Sequence, residues 1–85
     1  LRARLAKQLL HLVRSYGVPS LSDASEMRIG LQLAQEELAQ LLGASRQRVN
    51  QELKSMEREE AIRIEQGGLV IRNRQALMHI IEADV

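Results

Sequence analysis

The most informative segment of the chain is residues 35–59, with the sequence QEELAQLLGASRQRVNQELKSMERE. Its first part, Gln35 to Leu42, places leucines at helical spacing, and Gly43 interrupts that pattern. Ser45 then offers a hydroxyl that can cap a new helix by accepting a hydrogen bond from a free backbone N–H. The segment therefore predicts two consecutive helices joined by a short turn, the second running to about residue 59.

The second helix, residues 45–59, separates apolar from polar side chains. Val49, Leu53 and Met56 form one narrow apolar stripe when the residues are placed about 100° apart. The opposite side is polar and carries Gln47, Gln51, Lys54 and Arg58, flanked by Arg46, Arg48 and Asn50. One face of this helix is therefore expected to pack, while the other is presented to solvent or to a partner.

Upstream of this pair, the sequence predicts a helix, a loop and a strand. Apolar residues up to Tyr16 recur at helical spacing, and Gly17 suits the left-handed residue that ends a helix. A polar loop is expected over residues 18–26. Residues 27–33 alternate apolar and polar side chains, as a half-buried strand does, and this strand needs a partner elsewhere in the chain.

Downstream, the sequence predicts a hairpin and a last helix. Two short β-prone runs, 62–65 and 69–72, flank the turn Gln66-Gly67-Gly68. Asn73 can then cap a C-terminal helix. The expected class is mainly α with a small antiparallel sheet, in the order helix, strand, helix-turn-helix, β-hairpin wing, C-terminal helix. The predicted core consists of Leu5, Leu9, Leu12, Leu38, Leu41, Leu42, Val49, Leu53, Met56 and Ile62.

Composition limits the chemistry that this chain can perform. The 85 residues are 45% hydrophobic and 27% charged, which is the balance of one small globular domain. Aromatic residues make up 1%, so bases cannot be held on aromatic platforms. The sequence has no cysteine and two histidines, which excludes thiolate zinc sites, disulfides and cysteine nucleophiles. We expect no metal and no cofactor in residues 1–85.

The formal net charge is +1, from 12 lysines and arginines against 11 acidic residues, so net charge alone does not identify a polyanionic partner. No apolar run approaches the roughly 18 residues that a membrane span needs, and a cytoplasmic protein without membrane contact is expected. The chain begins with Leu1 inside a helical pattern. Residues 1–85 are therefore expected to be one domain cut from a longer protein.

The helix pair followed by a hairpin is the arrangement of a winged helix-turn-helix. A DNA major groove admits one helix whose N-terminal residues reach base edges while its back face is held in a core. Arg46 can fork onto guanine, and amide side chains can pair with adenine or other base edges. The predicted base-reading residues are Arg46, Gln47, Asn50 and Gln51. The predicted phosphate contacts are Ser45, Arg48, Lys54 and Arg58, which makes double-stranded DNA the expected partner.

The residues from Gln35 to Asn50, followed by Leu53-Lys54 and Met56-Glu57-Arg58, resemble a known family. This family is the winged-helix DNA-binding domain of the cyclic-AMP receptor protein and fumarate-nitrate regulator superfamily of bacterial transcription factors. The likeness extends to Arg4-Leu5-Ala6, Ile62-Arg63-Ile64, Leu69-Val70-Ile71 and Ala76-Leu77. It implies a homodimeric regulator, with RNA polymerase as a further candidate partner. The sensor domain, which takes a cyclic nucleotide or another effector in such proteins, and most of the dimerisation helix would precede residue 1.

Carried over by position, Ser45 resembles the family's phosphate-binding helix cap. Arg46, Gln47 and Gln51 occupy its base-reading positions. The family commonly has an acidic residue where Gln47 stands and an arginine where Gln51 stands. The resemblance therefore implies a half-site that differs from the family's usual one.

Three other positions depart from the family pattern. Ala34 stands where Thr or Ser often caps the first helix of the pair and contacts a phosphate. Glu60 stands where a helix-ending glycine is usual, and Gly68 stands where a basic residue is frequent at the wing tip. The wing is therefore expected to lack its usual cationic contact with DNA.

Two function classes other than DNA binding are compatible with a chain of this length. A winged helix used only for protein contacts gains support from Gln66-Gly67-Gly68, which carries no positive charge. An enzyme has no nucleophile-base pair, phosphate loop or metal cluster in its favour. Glu36 and Glu37 are adjacent on a helix and point apart, so they do not form an acid-base pair. The sequence thus predicts a DNA-binding domain that is not an enzyme, with a protein-contact module as the alternative.

Overall fold

A computed structural model describes residues 1–83 of the chain. The elements in chain order are α1 (Arg2–Tyr16), β1 (Val18–Pro19), β2 (Met27–Gly30), α2 (Leu31–Leu42), α3 (Arg46–Arg58), β3 (Ile62–Glu65), β4 (Gly68–Ile71) and α4 (Arg74–Ala83). The mainly α class with a small antiparallel sheet is confirmed. No helix in the described part of the chain has the length and apolar character of a membrane span.

The strands form one antiparallel sheet in the order β1-β2-β4-β3. The partner that the sequence required for β2 is β4, with Met27 opposite Ile71 and Ile29 opposite Leu69. β4 also pairs with β3, which makes the predicted hairpin, and its turn residue Gly67 has φ +73°. The hairpin is therefore the centre and one edge of the sheet rather than a free-standing arm.

The core fills the space between the helices and the sheet, and α4 contributes Leu77 to it. Of the ten residues predicted for it, eight are buried: Leu5, Leu9, Leu12, Leu38, Val49, Leu53, Met56 and Ile62. Leu42 is half-buried against this core. The prediction for Leu41 is wrong, because this side chain is 51% exposed.

The start of α2 differs from the sequence prediction. The strand expected over residues 27–33 ends at Gly30, and α2 begins at Leu31 rather than at Gln35. Leu31, Ala34 and Leu38 lie on one side of this helix and contact the core, whereas Leu33 points outward. Ala34 is fully buried inside α2, so the interpretation of this residue as a cap position is wrong. The N-cap is Gly30, which has no capping side chain.

The end of α1 also differs from expectation. Gly17 has φ −74° and ψ 152°, an extended conformation, so the predicted left-handed end is wrong. A Cβ at this position would collide with the carbonyl of Val13, so here glycine is required by close approach rather than by a positive φ. The loop expected over 18–26 contains the short strand β1, in which Val18 pairs with Arg28. Tyr16, placed on the apolar side of α1, is exposed.

The ends of the later helices follow the sequence closely. Gly43 ends α2 with φ +62°, and the Ser45 hydroxyl accepts a hydrogen bond of 3.1 Å from the Arg48 amide at the start of α3. Asn73 caps α4 by accepting a 3.1 Å hydrogen bond from the Ala76 amide. Glu60, after α3, has φ +63°, and it is the one residue other than glycine with positive φ in the part of the chain that the structure describes.

Candidate nucleic-acid interface

α3 is held to the core along one face for its whole length. Val49, Leu53 and Met56 are fully buried, and α2 packs beside them across the short turn at Gly43. A helix fixed in this way exposes its opposite face without cost to the core. The interface candidate is therefore the outer face of α3.

The centre of this outer face consists of four side chains: Gln47, Gln51, Lys54 and Arg58. All four are exposed, and within residues 1–83 none of them makes a hydrogen bond or an ion pair with another side chain. Their amide and cationic groups are therefore accessible to acceptors and donors of a partner. Lys54 lies about two turns beyond the first turn of α3, and Arg58 is the last residue of the helix.

Ser45 is the N-cap of α3, and Arg48 lies in the first turn on one flank of the helix. The Ser45 hydroxyl accepts a hydrogen bond from the Arg48 amide. The other N–H groups of the first turn have no acceptor within the helix. Arg48 is exposed and lies 3.8 Å from Glu52, its neighbour one turn along. The pair is long and its Arg48 side chain is exposed, so it contributes little to stability and Arg48 can exchange its partner for a phosphate.

The other flank of α3 faces the start of α2. The Gln35 side chain lies between the two helices, and its Nε2 donates a 2.7 Å hydrogen bond to Oδ1 of Asn50. Oε1 of the same amide accepts a 2.6 Å hydrogen bond from Nη2 of Arg46. Asn50 is consequently half-buried, whereas Arg46 stays exposed. Gln35 thus links two of the predicted base-reading side chains, Arg46 and Asn50.

Sequence reasoning did not assign Gln35 to the site. It was identified only as the first residue of α2, whereas it lies one turn inside that helix. With the helix start placed at Leu31, Gln35 falls on the side of α2 next to the first turns of α3. The sequence signals this contact only by the polar character of Gln35, Arg46 and Asn50. Their pairing depends on how α2 and α3 pack.

The hairpin of β3 and β4 presents a different set of charges. The guanidinium of Arg63 donates to Glu26 at 3.0 Å and to Glu65 at 2.9 Å. These hydrogen bonds, first that to Glu26 and then that to Glu65, raise the pKa of Arg63 and keep it charged but neutralised by its neighbours. Arg28 of β2 lies 3.6 Å from Glu65 and covers Gly68. Arg63, the one cation of the hairpin, is thus bound within the protein, and so is the neighbouring Arg28 of β2.

The tip of the wing is held close to α2. The carbonyl of Gly67 accepts a 3.2 Å hydrogen bond from the Leu31 amide, and Gln66 is the exposed side chain of the turn. In residues 1–83, the structure contains no cluster of histidine, cysteine and acidic side chains able to hold a metal ion. The interface candidate is therefore defined by hydrogen-bonding and cationic groups of α3.

Comparisons with known proteins agree with this geometry. Residues 3–80 match the family of Crp-like helix-turn-helix domains. The CRP-like cAMP-activated global transcriptional regulator of Mycobacterium tuberculosis is 38% identical over 74 residues, covering 87% of this chain and 32% of that protein. The chain thus spans about a third of the length of this curated relative.

Solved structures give the same result. The catabolite activator protein of Thermus thermophilus has a TM-score of 0.73 and 27% identity, covering 99% of this chain and 35% of its own. The CO-dependent transcription factor CooA of Carboxydothermus hydrogenoformans has a TM-score of 0.72 and 27% identity, covering 94% and 36%. A CRP/FNR-family regulator from Thermus thermophilus shares the fold with a TM-score of 0.80 at 23% identity, covering 96% and 40%. The chain therefore belongs to the Crp-like helix-turn-helix family of DNA-binding transcription regulators.

Proposed function

We propose that this domain binds double-stranded DNA with sequence specificity by placing the outer face of α3 in the major groove. The observation that carries this proposal is the exposed row of Gln47, Gln51, Lys54 and Arg58, which has no side-chain partner within residues 1–83. The helix beneath it is fixed by Val49, Leu53 and Met56. A major groove accommodates a helix presented in this way.

The side chains of α3 divide into two groups by their place along the helix. Arg46, Gln47, Asn50 and Gln51 lie in its first half, where a recognition helix reaches base edges, and are assigned to base reading. Ser45, Arg48, Lys54 and Arg58 are assigned to phosphates. Ser45 and the free first-turn N–H groups suit an anion, and the three cations lie at a flank or further along the helix.

The domain is proposed to act as part of a larger homodimeric regulator, with DNA binding and no catalytic step of its own. The named relatives are cAMP-activated in one case and CO-dependent in another, and the chain covers about a third of their length. A cyclic nucleotide or another effector would therefore bind outside residues 1–85, in a sensor domain that precedes a dimerisation helix. RNA polymerase is a further proposed partner, and the cytoplasm is the proposed location.

The test of the proposal is to select binding sites from a random duplex pool and to titrate the chain with the selected duplex across a salt series. We expect one enriched motif and an affinity that falls steeply as salt rises, because phosphate contacts release counterions. A module used only for protein contacts would enrich no motif and would have no affinity to lose. That result would overturn the proposal.

The single domain makes few phosphate contacts, so we expect it to bind weakly by itself. Dimers of such motifs read half-sites about 34 Å apart, and two tethered copies should recover affinity on a duplex with that spacing. Equal affinity of the untethered chain for one half-site would contradict the proposed dimeric assembly.

A further inference from the structure

The hydrogen bonds that link Arg46, Gln35 and Asn50 run in one donor-to-acceptor direction, which the chemistry of the three side chains determines. A guanidinium only donates hydrogen bonds, so Oε1 of Gln35 must be the atom that faces Arg46, at 2.6 Å from its Nη2. Nε2 of the same amide is then the atom that faces Asn50. Because Nε2 only donates, Oδ1 of Asn50 must accept, at 2.7 Å. The orientation of both amides therefore follows from the presence of one arginine.

This direction determines which group Asn50 has left for a partner. Its Oδ1 is turned towards α2, so the group directed away from Gln35 is the Nδ2 amide, which only donates. Bidentate pairing of an asparagine with adenine needs the amide oxygen as well as the nitrogen on the groove side. Asn50, held in this way, offers a donor alone.

We infer that Gln35 is a specificity-determining residue, which acts by positioning Arg46 and by making Asn50 a hydrogen-bond donor towards DNA. The inference rests on the proposed function, since it concerns the same interface. A donor in the major groove favours a base with acceptor atoms, which are O6 and N7 of guanine, O4 of thymine and, beside its N6 donor, N7 of adenine. It disfavours cytosine, whose exposed group there is the N4 amino donor.

Two substitutions give residue 50 an acceptor on its outer side, one by reversing the direction of the hydrogen bonds and one by replacing the Asn50 amide nitrogen with oxygen. In Gln35→Glu the carboxylate accepts from Arg46 and from Nδ2 of Asn50, which turns Oδ1 of Asn50 outward. In Asn50→Asp the carboxylate still accepts from Gln35 but presents only acceptor oxygens outward. Both variants should therefore shift preference at one base pair from guanine or thymine towards cytosine or adenine, whose amino groups donate.

The experiment compares the selected motifs of the parent chain, Gln35→Glu, Asn50→Asp and the control Gln40→Glu. Gln40 lies exposed on α2, and the control carries the same change of charge at a residue that makes no side-chain hydrogen bond within residues 1–83. We expect a change in preference of about three- to tenfold at a single base pair, the worth of one hydrogen bond, in the two test variants. That base pair should adjoin the one whose preference relaxes in Arg46→Ala.

The outcomes distinguish failure of the proposed function from failure of the role assigned to Gln35. A parent chain that enriches no motif overturns the proposed function itself. A parent motif that is unchanged in Gln35→Glu or in Asn50→Asp overturns the role of Gln35 and leaves the proposed function standing. An equal shift in Gln40→Glu also overturns it, because charge alone would then explain the change. If Gln35→Glu fails to fold, as judged by its thermal melt, Gln35→Ala decides: Asn50 is then free to turn its amide and should gain preference for adenine at that base pair, and an unchanged motif overturns the role of Gln35.

Discussion

The outer face of α3 and the β3–β4 hairpin rest on the same small core, yet they treat their charged side chains in opposite ways. On α3, Lys54 and Arg58 are exposed and have no side-chain partner within residues 1–83. In the hairpin, Arg63 is bound by Glu26 and Glu65. A cation that already has two carboxylate partners must lose them before it can bind a phosphate, whereas Lys54 loses only water.

This difference indicates a division of roles within one winged helix. The family resemblance predicts that the wing lacks its usual basic residue, and the structure shows Gly68 at that place, covered by the guanidinium of Arg28. Arg28 is itself within 3.6 Å of Glu65. The wing thus stabilises the sheet and the loop before β2, which supports the proposal that α3 carries DNA recognition.

The largest effect is expected from breaking the core that supports both regions. Val49→Asp would bury an unpaired carboxylate behind α3 and should lower the free energy of unfolding by about 3 kcal/mol or more, enough to unfold a small domain. Thermal unfolding followed by circular dichroism measures this. The matched control is Gln51→Asp on the exposed face, which should stay within about 0.5 kcal/mol of the parent. A Val49→Asp variant that melts like the parent would show that α3 packs by another face.

A smaller loss is expected from Arg46→Ala at the start of α3. The guanidinium can bind O6 and N7 of guanine together, so its removal should cost about 1–3 kcal/mol on the preferred site and relax one base pair of the motif. Site selection with parent and variant measures both quantities. An unchanged motif would mean that the first turn of α3 does not reach the floor of the groove.

The two regions can be compared directly through one cation from each. Lys54→Ala should weaken binding to all sequences alike and lower the salt slope by about one, because one phosphate contact is lost. Arg63→Ala should leave the salt slope unchanged but reduce thermal stability, since Glu26 and Glu65 lose their shared partner. Measuring affinity as a function of salt for both variants shows which of the two cations contacts a phosphate. The reverse result would place the phosphate contact in the wing.

The smallest effect concerns the residue that links the two regions. Glu60 lies between α3 and β3 with φ +63°, a conformation that costs a residue with a side chain about 1 kcal/mol or slightly more. Glu60→Gly should therefore raise the free energy of unfolding by about 1 kcal/mol. Gly43→Ala is the opposite control, because a Cβ there meets no atom within 4 Å and the cost is purely conformational. Chemical denaturation that shows no gain in Glu60→Gly would contradict a strained junction.

The sequence predicted α3 well because its signals agree with each other. The apolar stripe, the Ser45 cap and the glycine of the preceding turn all indicate one helix with one buried face, and the structure has that helix at Arg46–Arg58. The hairpin and the Asn73 cap were predicted for the same reason. Short-range patterns suffice where packing only reinforces them.

The errors occurred where short-range patterns allow two interpretations. Residues 27–33 can be read with the period of a strand or, from Leu31 onward, with that of a helix, and burial of Ala34 decides for the helix. The contact of Gln35 with Asn50 depends on the packing of α2 against α3, which no local pattern encodes. The neutralisation of Arg63 likewise needs Glu26, a residue far away in the sequence.

The contrast between α3 and the wing is tested most directly by backbone amide NMR spectra of the chain titrated with its selected duplex. We expect the largest chemical-shift changes on residues 45–58, with a smaller group at the start of α2 around Gln35. The amides of residues 65–68 at the wing tip should stay near their free positions. Large changes at the wing tip with little change along α3 would contradict the account, because the DNA would then lie on the hairpin.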